Sequence, residues 1–114
     1  MPPVLTVIRW RDIPAQVVAK DGRAAARQVL PDRFHAAIDR AAMRAGLVSE
    51  SDYVGEWMSD REPCGADLEA AVAARAEAVE RAHPQAVLDA LVENGGWRDP
   101  DGGAAPDAGR ERNA

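Results

Sequence analysis

Short runs of β-branched and apolar residues alternate with turn signals in the N-terminal third of the chain, and they predict a three-stranded antiparallel meander. The first run is Val4–Trp10. Pro14 then predicts a bend, because proline lacks an amide donor and restricts the residue before it. The second and third runs, Ala15–Lys20 and Ala24–Leu30, flank an Asp-Gly pair that favours a tight hairpin turn. Pro31 follows the third run and favours an edge position for that strand.

Helical periodicity replaces this pattern from Pro31 to Gly46. Proline suits a first helical turn, and a glycine just past the last periodic residue is typical of a helix end. The predicted apolar face contains Phe34, Ile38, Ala41, Ala42 and Ala45. A second helix is predicted to begin at a Ser49 cap and to end at Pro63. Its apolar face would contain Tyr53, Val54, Trp57 and Met58.

Two further helices are predicted after Pro63. Asp67 can cap the third helix, whose apolar stripe contains Leu68, Val72, Ala76 and Val79. Pro84 suits the first turn of the fourth, which carries Val87, Leu88, Leu91 and Val92 and stops at Asn94-Gly95-Gly96. Residues 97–114 are rich in small and polar residues without periodicity, which predicts a disordered tail.

These elements predict one α+β domain over residues 4–94, an N-terminal three-stranded antiparallel meander followed by about four helices and a disordered C-terminal tail. Residues 4–62 would form the centre of the domain, and residues 65–94 would form a helical extension. A chain of 114 residues has the length of one domain and can bury only a modest core.

The net charge of −5 is distributed unevenly along the chain. The segment from Met1 to Ala45 contains eight Arg or Lys and four Asp, a balance of +4. The segment from Gly46 to Ala114 contains six Arg and fifteen Asp or Glu, a balance of −9. The basic segment could face an anionic partner, and head-to-tail association between copies is also open. The acidic segment argues against a protein that wraps nucleic acid with its whole surface.

Cysteine content and hydropathy predict a cytoplasmic protein that makes no membrane contact. Cys64 is the only cysteine, so the chain can form neither a disulfide within itself nor a cysteine zinc site. The first residues lack the basic start and the apolar length of a signal peptide. No run of apolar residues is long enough to span a membrane.

Candidate catalytic residues are few, and the sequence does not define an activity. Cys64 with His35 or His83 could form a thiol dyad, and Glu80 with His83 has the spacing of a di-iron ligand pair. A di-iron site needs a second such motif, which the chain lacks, and a loop with a solvated helix explains these residues better. No Walker loop, dinucleotide-binding glycine motif or nucleophile elbow occurs. We therefore predict no catalytic residue, no metal and no cofactor, with a small enzyme as the less favoured alternative.

Three arginines, Arg33, Arg40 and Arg44, share one face of the first predicted helix. Such a stripe could meet the phosphates or carboxylates of a partner. The favoured interpretation is a solvated face whose charges, with Asp39 nearby, serve only solubility.

The order of a strand from Ala26 to Leu30, an amphipathic helix, Gly46 and a Ser-capped second helix resembles the ribbon-helix-helix repressors. Those proteins dimerise through the strand and insert it into the major groove of DNA. The pattern here departs from theirs because two strands precede the ribbon, an alanine run interrupts its polar alternation, and Pro63 shortens the second helix.

The segment Val4–Trp57 carries a more particular resemblance. Its distinctive part is Trp10-Arg11-Asp12-Ile13-Pro14-Ala15-Gln16, accompanied by Thr6-Val7-Ile8-Arg9, by Phe34–Met43 and by Tyr53 and Trp57. These stretches resemble a small bacterial domain family described as "virulence factor", which is similar to a part of the conserved virulence factor C proteins. The resemblance covers roughly the first half of the chain, and the helices after Pro63 lie outside it. The family assigns no catalytic residues, and the resemblance loosely implies an accessory role in one-carbon or methyltransferase metabolism.

The stretch from Trp10 to Gln16 has two interpretations. It could be a structural corner in which Trp10 is buried, Asp12 accepts from turn amides, and Arg11 is stacked or paired. It could instead be a recognition loop whose Trp10, Arg11 and Gln16 contact a ligand or partner. The candidate partner-binding residues are therefore Trp10, Arg11, Gln16, Arg33, Arg40 and Arg44.

We expect from the sequence a non-catalytic bacterial accessory domain that binds an unidentified protein through its sheet and its basic helix. The first alternative is a ribbon-helix-helix-like DNA-binding regulator, which would have to dimerise through residues 24–30. The second is an accessory protein to one-carbon or methyltransferase metabolism. The sequence does not define the oligomeric state.

Overall fold

The computed structural model describes residues 2–46 and 53–98. Within these ranges the chain forms four strands and three helices. The strands are β1 (Val4–Trp10), β2 (Ile13–Asp21), β3 (Ala24–Val29) and β4 (Trp57–Pro63). The helices are α1 (Asp32–Arg44), α2 (Leu68–Ala82) and α3 (Gln85–Glu93). The predicted α+β class with an antiparallel sheet is confirmed.

The strands form one antiparallel sheet in the order β3-β2-β1-β4. Its first three strands make the predicted meander, and β3 lies at an edge as expected. The second strand begins earlier than predicted, so Pro14 lies inside it. Ile8 pairs with Gln16 while Arg9 pairs with Pro14, which leaves Ala15 as an extra residue on β2. A bulge is one of the few places in a sheet where proline is tolerated.

The second predicted helix is wrong for Trp57 and Met58, which begin β4 instead. Tyr53 and Val54 do have helical backbone, and the predicted Ser49 cap lies outside the described residues. Strand β4 pairs with β1 along its whole length, from Val4 opposite Pro63 to Trp10 opposite Trp57. The helical pattern of apolar residues here is little more than one turn long. Pairing with β1, which is far away in the sequence, therefore outweighs it. The described chain therefore has a fourth strand in place of a fourth helix.

The other helices begin and end close to the predicted residues. Pro31 is the N-cap of α1, and the helix ends two residues before Gly46, where φ is +75°. The side chain of Asp67 caps α2 by accepting a hydrogen bond of 3.1 Å from the amide of Ala70. Helix α3 follows Pro84, as predicted for the fourth helix.

Helices α1 and α2 contact the sheet directly. Helix α2 lies across β2 and β3, while α1 contacts β2 and packs against α3. The strand side chains beneath them are Leu5, Val7, Ala15, Val17, Ala19 and Ala26, all buried. The largest fully buried side chains are Trp10, Phe34, Ile13, Leu30, Ile38, Leu88 and Val17. The core thus lies between the helices and one side of the sheet.

Two other expectations concern membranes and the C-terminal tail. Among the described residues, no helix combines the length and the apolar character needed to cross a membrane. Trp97 and Arg98, the first residues of the predicted tail, lie against the turn between β1 and β2. Residues 99–114 lie outside the described residues.

Candidate functional site

The turn between β1 and β2 is closely held by its surroundings. Trp10 is fully buried, stacks on Tyr53 with ring centroids 5.6 Å apart, and donates its Nε1–H to the Tyr53 carbonyl at 2.9 Å. The amide of Arg11 donates to the Glu56 carbonyl, and that of Asp12 donates to the Gly96 carbonyl. Burial, with a smaller contribution from a nearby carboxylate, raises the pKa of the Tyr53 phenol. The aromatic residue of the predicted corner is therefore part of the core.

Arg11 joins three segments that are distant in the sequence. It has a left-handed backbone, with φ of +52°. Its Nε donates to a Glu56 carboxylate oxygen at 2.6 Å, and its Nη1 donates to the Gly95 carbonyl at 2.8 Å. The guanidinium carbon lies 5.1 Å from the ring centroids of both Trp10 and Trp97. With its side chain only 13% exposed, Arg11 has little surface left for a partner.

Gly96 allows this close packing. Its φ is +98°, and a Cβ placed there would lie 2.9 Å from Cζ3 of Trp10 and 3.3 Å from Cβ of Arg11. Asp12 extends the contact by accepting a 2.7 Å hydrogen bond from the amide of Arg98 through Oδ2. The end of α3 and the β1–β2 turn therefore form one packed unit.

Gln16 lies apart from Trp10 and Arg11, although the sequence groups the three. It is half-buried, pairs with Ile8 of β1 and Val29 of β3, and shares their side of the sheet. The bulge at Ala15 lies between Gln16 and the turn.

The arginines of α1 face other helices of the same chain. Arg33 Nη2 donates to the Glu80 carbonyl at 3.2 Å, near the end of α2. Arg40 pairs with Asp89 at 3.1 Å, and Arg44 pairs with a carboxylate of α3 at 2.9 Å. A hydrogen bond from the neighbouring Gln85 amide, followed by one from Arg40, lowers the pKa of Asp89. Arg40 and Arg44 are thus opposite the acidic side of α3, a relation that spacing within α1 could not reveal.

The residues considered for catalysis are dispersed. Cys64 is half-buried at the end of β4, and Glu80 accepts a hydrogen bond through its backbone. His83 is buried against Phe34, with its Nδ1 2.8 Å from the Val79 carbonyl oxygen, and burial is the main cause that lowers its pKa. Within residues 2–46 and 53–98, no group of three His, Cys, Asp or Glu side chains could hold a metal ion.

Strand β3 pairs with β2 of the same chain rather than standing alone before a helix pair. The described order after it is helix α1 and then strand β4. This order departs further from the ribbon-helix-helix pattern than the sequence indicated.

The side of the sheet away from the helices is uncovered in the part of the chain that the structure describes. We call it the open face, and it includes Val4, Thr6, Ile8, Gln16, Val18, Lys20, Arg27, Val29, Ser59 and Arg61. Val4, Thr6 and Ile8 form a row along the central strand β1, each half-exposed. A shallow groove of about 430 Å³ runs along this row.

The charges of the open face have one sign. Lys20, Arg27 and Arg61 are exposed, and none of them has an ion-pair partner among the described residues. No Asp or Glu occupies a described strand position on this face, because Asp21, Asp60 and the other β-strand carboxylates alternate to the opposite side. The open face is an apolar row flanked by cations.

Sequence reasoning missed the open face, although one signal for it was present. In β1 both alternating sets contain branched apolar residues, since Leu5 and Val7 face the helices while Val4 and Ile8 face outward. Two apolar sides are typical of a strand covered on both faces, and here a second cover is absent from the described chain.

A second cleft, of about 420 Å³, lies between β1, β4 and α2. In this cleft, arginines form ion pairs with carboxylates. Arg9 pairs with Asp60 at 2.6 Å and with Asp12 at 3.3 Å, while Arg75 lies 3.4 Å from Glu62. Because Arg9 and Arg75 are already paired with carboxylates, this cleft has less capacity to select a charged ligand than the open face.

Comparison with known proteins gives one match. The family model described as "Virulence factor" matches residues 8–92, which include α2 and almost all of α3. The match therefore extends beyond the first half of the chain and includes the helices after Pro63 that the sequence analysis left outside the resemblance. Neither the search of curated proteins nor that of solved structures returned a match. Since the matched residues make up most of the chain, the protein belongs to the virulence factor family.

Proposed function

We propose that this domain is a non-catalytic accessory module that binds a protein partner through the open face. The observation that carries the proposal is the half-exposed row of Val4, Thr6 and Ile8 on a central strand, with cations on both sides that have no ion-pair partner among the described residues. A contiguous apolar surface bordered by polar groups is typical of an interaction site. The proposal includes a cytoplasmic location, in keeping with a single free cysteine.

Among the six candidates from the sequence, Gln16 lies on the proposed surface. Trp10, Arg11 and Arg33 make internal contacts, while Arg40 and Arg44 pair with carboxylates of α3. These internal contacts favour the sheet over the basic helix as the docking surface. A partner that covers the row would bury the apolar side chains that the chain itself leaves half-exposed.

Site-specific photo-crosslinking in the native cell tests this surface. A photo-crosslinking amino acid replaces Thr6 in one version of the chain and Met43, an 81% exposed residue of α1, in the matched control. We expect a protein adduct from position 6 only, and we expect Ile8→Asp to abolish it because a carboxylate would enter the apolar row. Urea unfolding shows whether the Ile8→Asp variant is folded. Lys20→Glu, at an exposed position, is a second variant that leaves Val4, Thr6 and Ile8 unchanged, and we expect it to abolish the adduct as well.

Adducts formed equally from positions 6 and 43 would contradict the proposal. An adduct from position 6 that persists in folded Ile8→Asp and in Lys20→Glu would contradict it as well.

A further inference from the structure

We infer that the occupant of the open face is an acidic, amphipathic α-helix of the partner, lying along β1. This inference rests on the proposed function and adds the chemistry and shape of the partner. It follows from the charge of the open face and from the spacing of its side chains.

The dimensions of the row suit a helix. Side chains two residues apart on a strand repeat every ~6.8 Å, so Val4, Thr6 and Ile8 span about 14 Å. Helical residues four apart repeat every ~6 Å, so apolar residues at every fourth position could contact the row over about two turns.

The cations are placed on both flanks of such a helix. Arg61, Thr6, Val18 and Arg27 form one transverse row of the sheet, because Thr6 pairs with Arg61 and Val18, and Val18 pairs with Arg27. Three strand spacings of ~4.8 Å separate the backbones of the two arginines by about 14 Å. A helix is about 10 Å wide, so carboxylates on its two sides could each meet an arginine.

Charge argues against a second copy of this chain as the occupant. Two open faces brought together would oppose cations to cations, with no Asp or Glu at the described strand positions of either face. Like charges held together in this way disfavour association. The chain's own residues 99–114 are also unsuited in composition, because they contain no Val, Leu, Ile, Met, Phe, Tyr or Trp.

The side chains of the open face also disfavour single-stranded nucleic acid. Sheets that bind it supply aromatic rings on which bases stack. The strand positions of this face carry Val, Thr and Ile at the centre, and the only exposed aromatic side chain among its described strand positions is Trp57, at the end of β4. An apolar centre with cationic flanks matches an amphipathic helix with acidic sides better than it matches a run of bases.

Peptide selection on the full chain tests the inference. A library of random peptides, each about 16 residues or four helical turns long, is selected for binding to the full-length protein. Enriched peptides are then measured against Ile8→Asp, Thr6→Asp and the double variant Lys20→Glu/Arg61→Glu. Arg40→Glu/Arg44→Glu serves as the matched control, because it changes the same number of charges on α1. A single-stranded thymidine oligonucleotide is titrated in parallel.

We expect the enriched peptides to be acidic, with apolar residues at helical spacing, and to lose binding to Ile8→Asp or Thr6→Asp. The double reversal of Lys20 and Arg61 should weaken them by at least about tenfold, whereas the α1 control should leave them unchanged. If the enriched peptides require Ile8 but have neutral or basic side chains beside their apolar residues, the inference of an acidic helix would be wrong, and the open face would remain the proposed binding surface. Peptides indifferent to both Ile8 and Thr6 would overturn the surface itself. Oligonucleotide binding that is lost in the double variant would show that the open face binds nucleic acid and not an acidic helix.

Discussion

The β1–β2 turn and the open face both contain arginine next to apolar residues, yet they use it in opposite ways. At the turn, Arg11 donates to Glu56 and to a backbone carbonyl and lies between two indole rings. On the open face, Arg27 and Arg61 are exposed and have no ion-pair partner among the described residues. The same residue type thus stabilises the fold at the turn and is available to a partner on the open face.

This difference shows what an arginine-rich sequence can and cannot indicate. An arginine is available to a partner only when the fold places no carboxylate or carbonyl group of the same chain within reach of its guanidinium. At the turn those neighbours come from residues 56 and 95, far away in the sequence. On the open face, strand alternation sends the nearby carboxylates to the opposite side.

The largest expected effect is a difference in the free energy of unfolding between a variant of the turn and a variant of the open face. Arg11→Ala should lower the free energy of unfolding by about 2–3 kcal/mol, because it leaves Glu56 and the Gly95 carbonyl without their partner in a partly buried site. Arg27→Ala, the control on the open face, should change it by less than about 0.5 kcal/mol. Urea denaturation of both variants measures the difference. Equal effects would show that the two regions are not distinct.

A smaller effect tests the packing that holds the turn. Gly96→Ala should cost about 2 kcal/mol, because the new Cβ would meet Trp10, which is fully buried and cannot move away, at a positive φ. Gly22→Ala is the matched control, since Gly22 also has a positive φ but has open space around it. It should cost about 1 kcal/mol from backbone strain alone. Thermal unfolding that ranks the two variants in the reverse order would rule out close packing at Gly96.

The smallest effect concerns pH. Burial lowers the pKa of His83 below its ordinary value of 6.5, so the folded chain resists its protonation while the unfolded chain accepts the proton. Stability should therefore decrease as the pH falls through 6.5 and continue to decrease until the lowered pKa is reached. His83→Gln should remove this part of the pH dependence, and His35→Gln should retain it. Urea unfolding across this pH range measures both, and a slope unchanged by His83→Gln would contradict the assignment.

The parts of the fold that were predictable depend on neighbours in the sequence. Strand β1 has the predicted bounds, Asp67 caps α2 as expected, and the prolines at 31 and 84 precede helices. Each of these features depends on residues that are close to each other in the sequence. Strand β4 was not predictable in this way, because its partner β1 lies about fifty residues earlier, and its own sequence has no clear alternation.

The candidate site was less predictable than the fold for the same reason. The burial of Trp10 and the pairing of Arg11 agree with the corner interpretation, but their partners, Tyr53, Glu56 and Gly95, come from distant segments. The open face depends on which side of the sheet the helices cover. Alternation within β1 does not decide this, because both of its sides are apolar.

The central claim is that partner binding uses the cations of the open face and not those of α1. Two double variants with equal changes in charge test it, Lys20→Glu/Arg61→Glu and Arg40→Glu/Arg44→Glu, each carrying the photo-crosslinking amino acid at position 6. We expect the first variant to lose the protein adduct while its free energy of unfolding is unchanged, and the second to retain the adduct. Loss of the adduct in the second variant alone, with that variant still folded, would show that the partner binds the cations of α1 and not those of the open face.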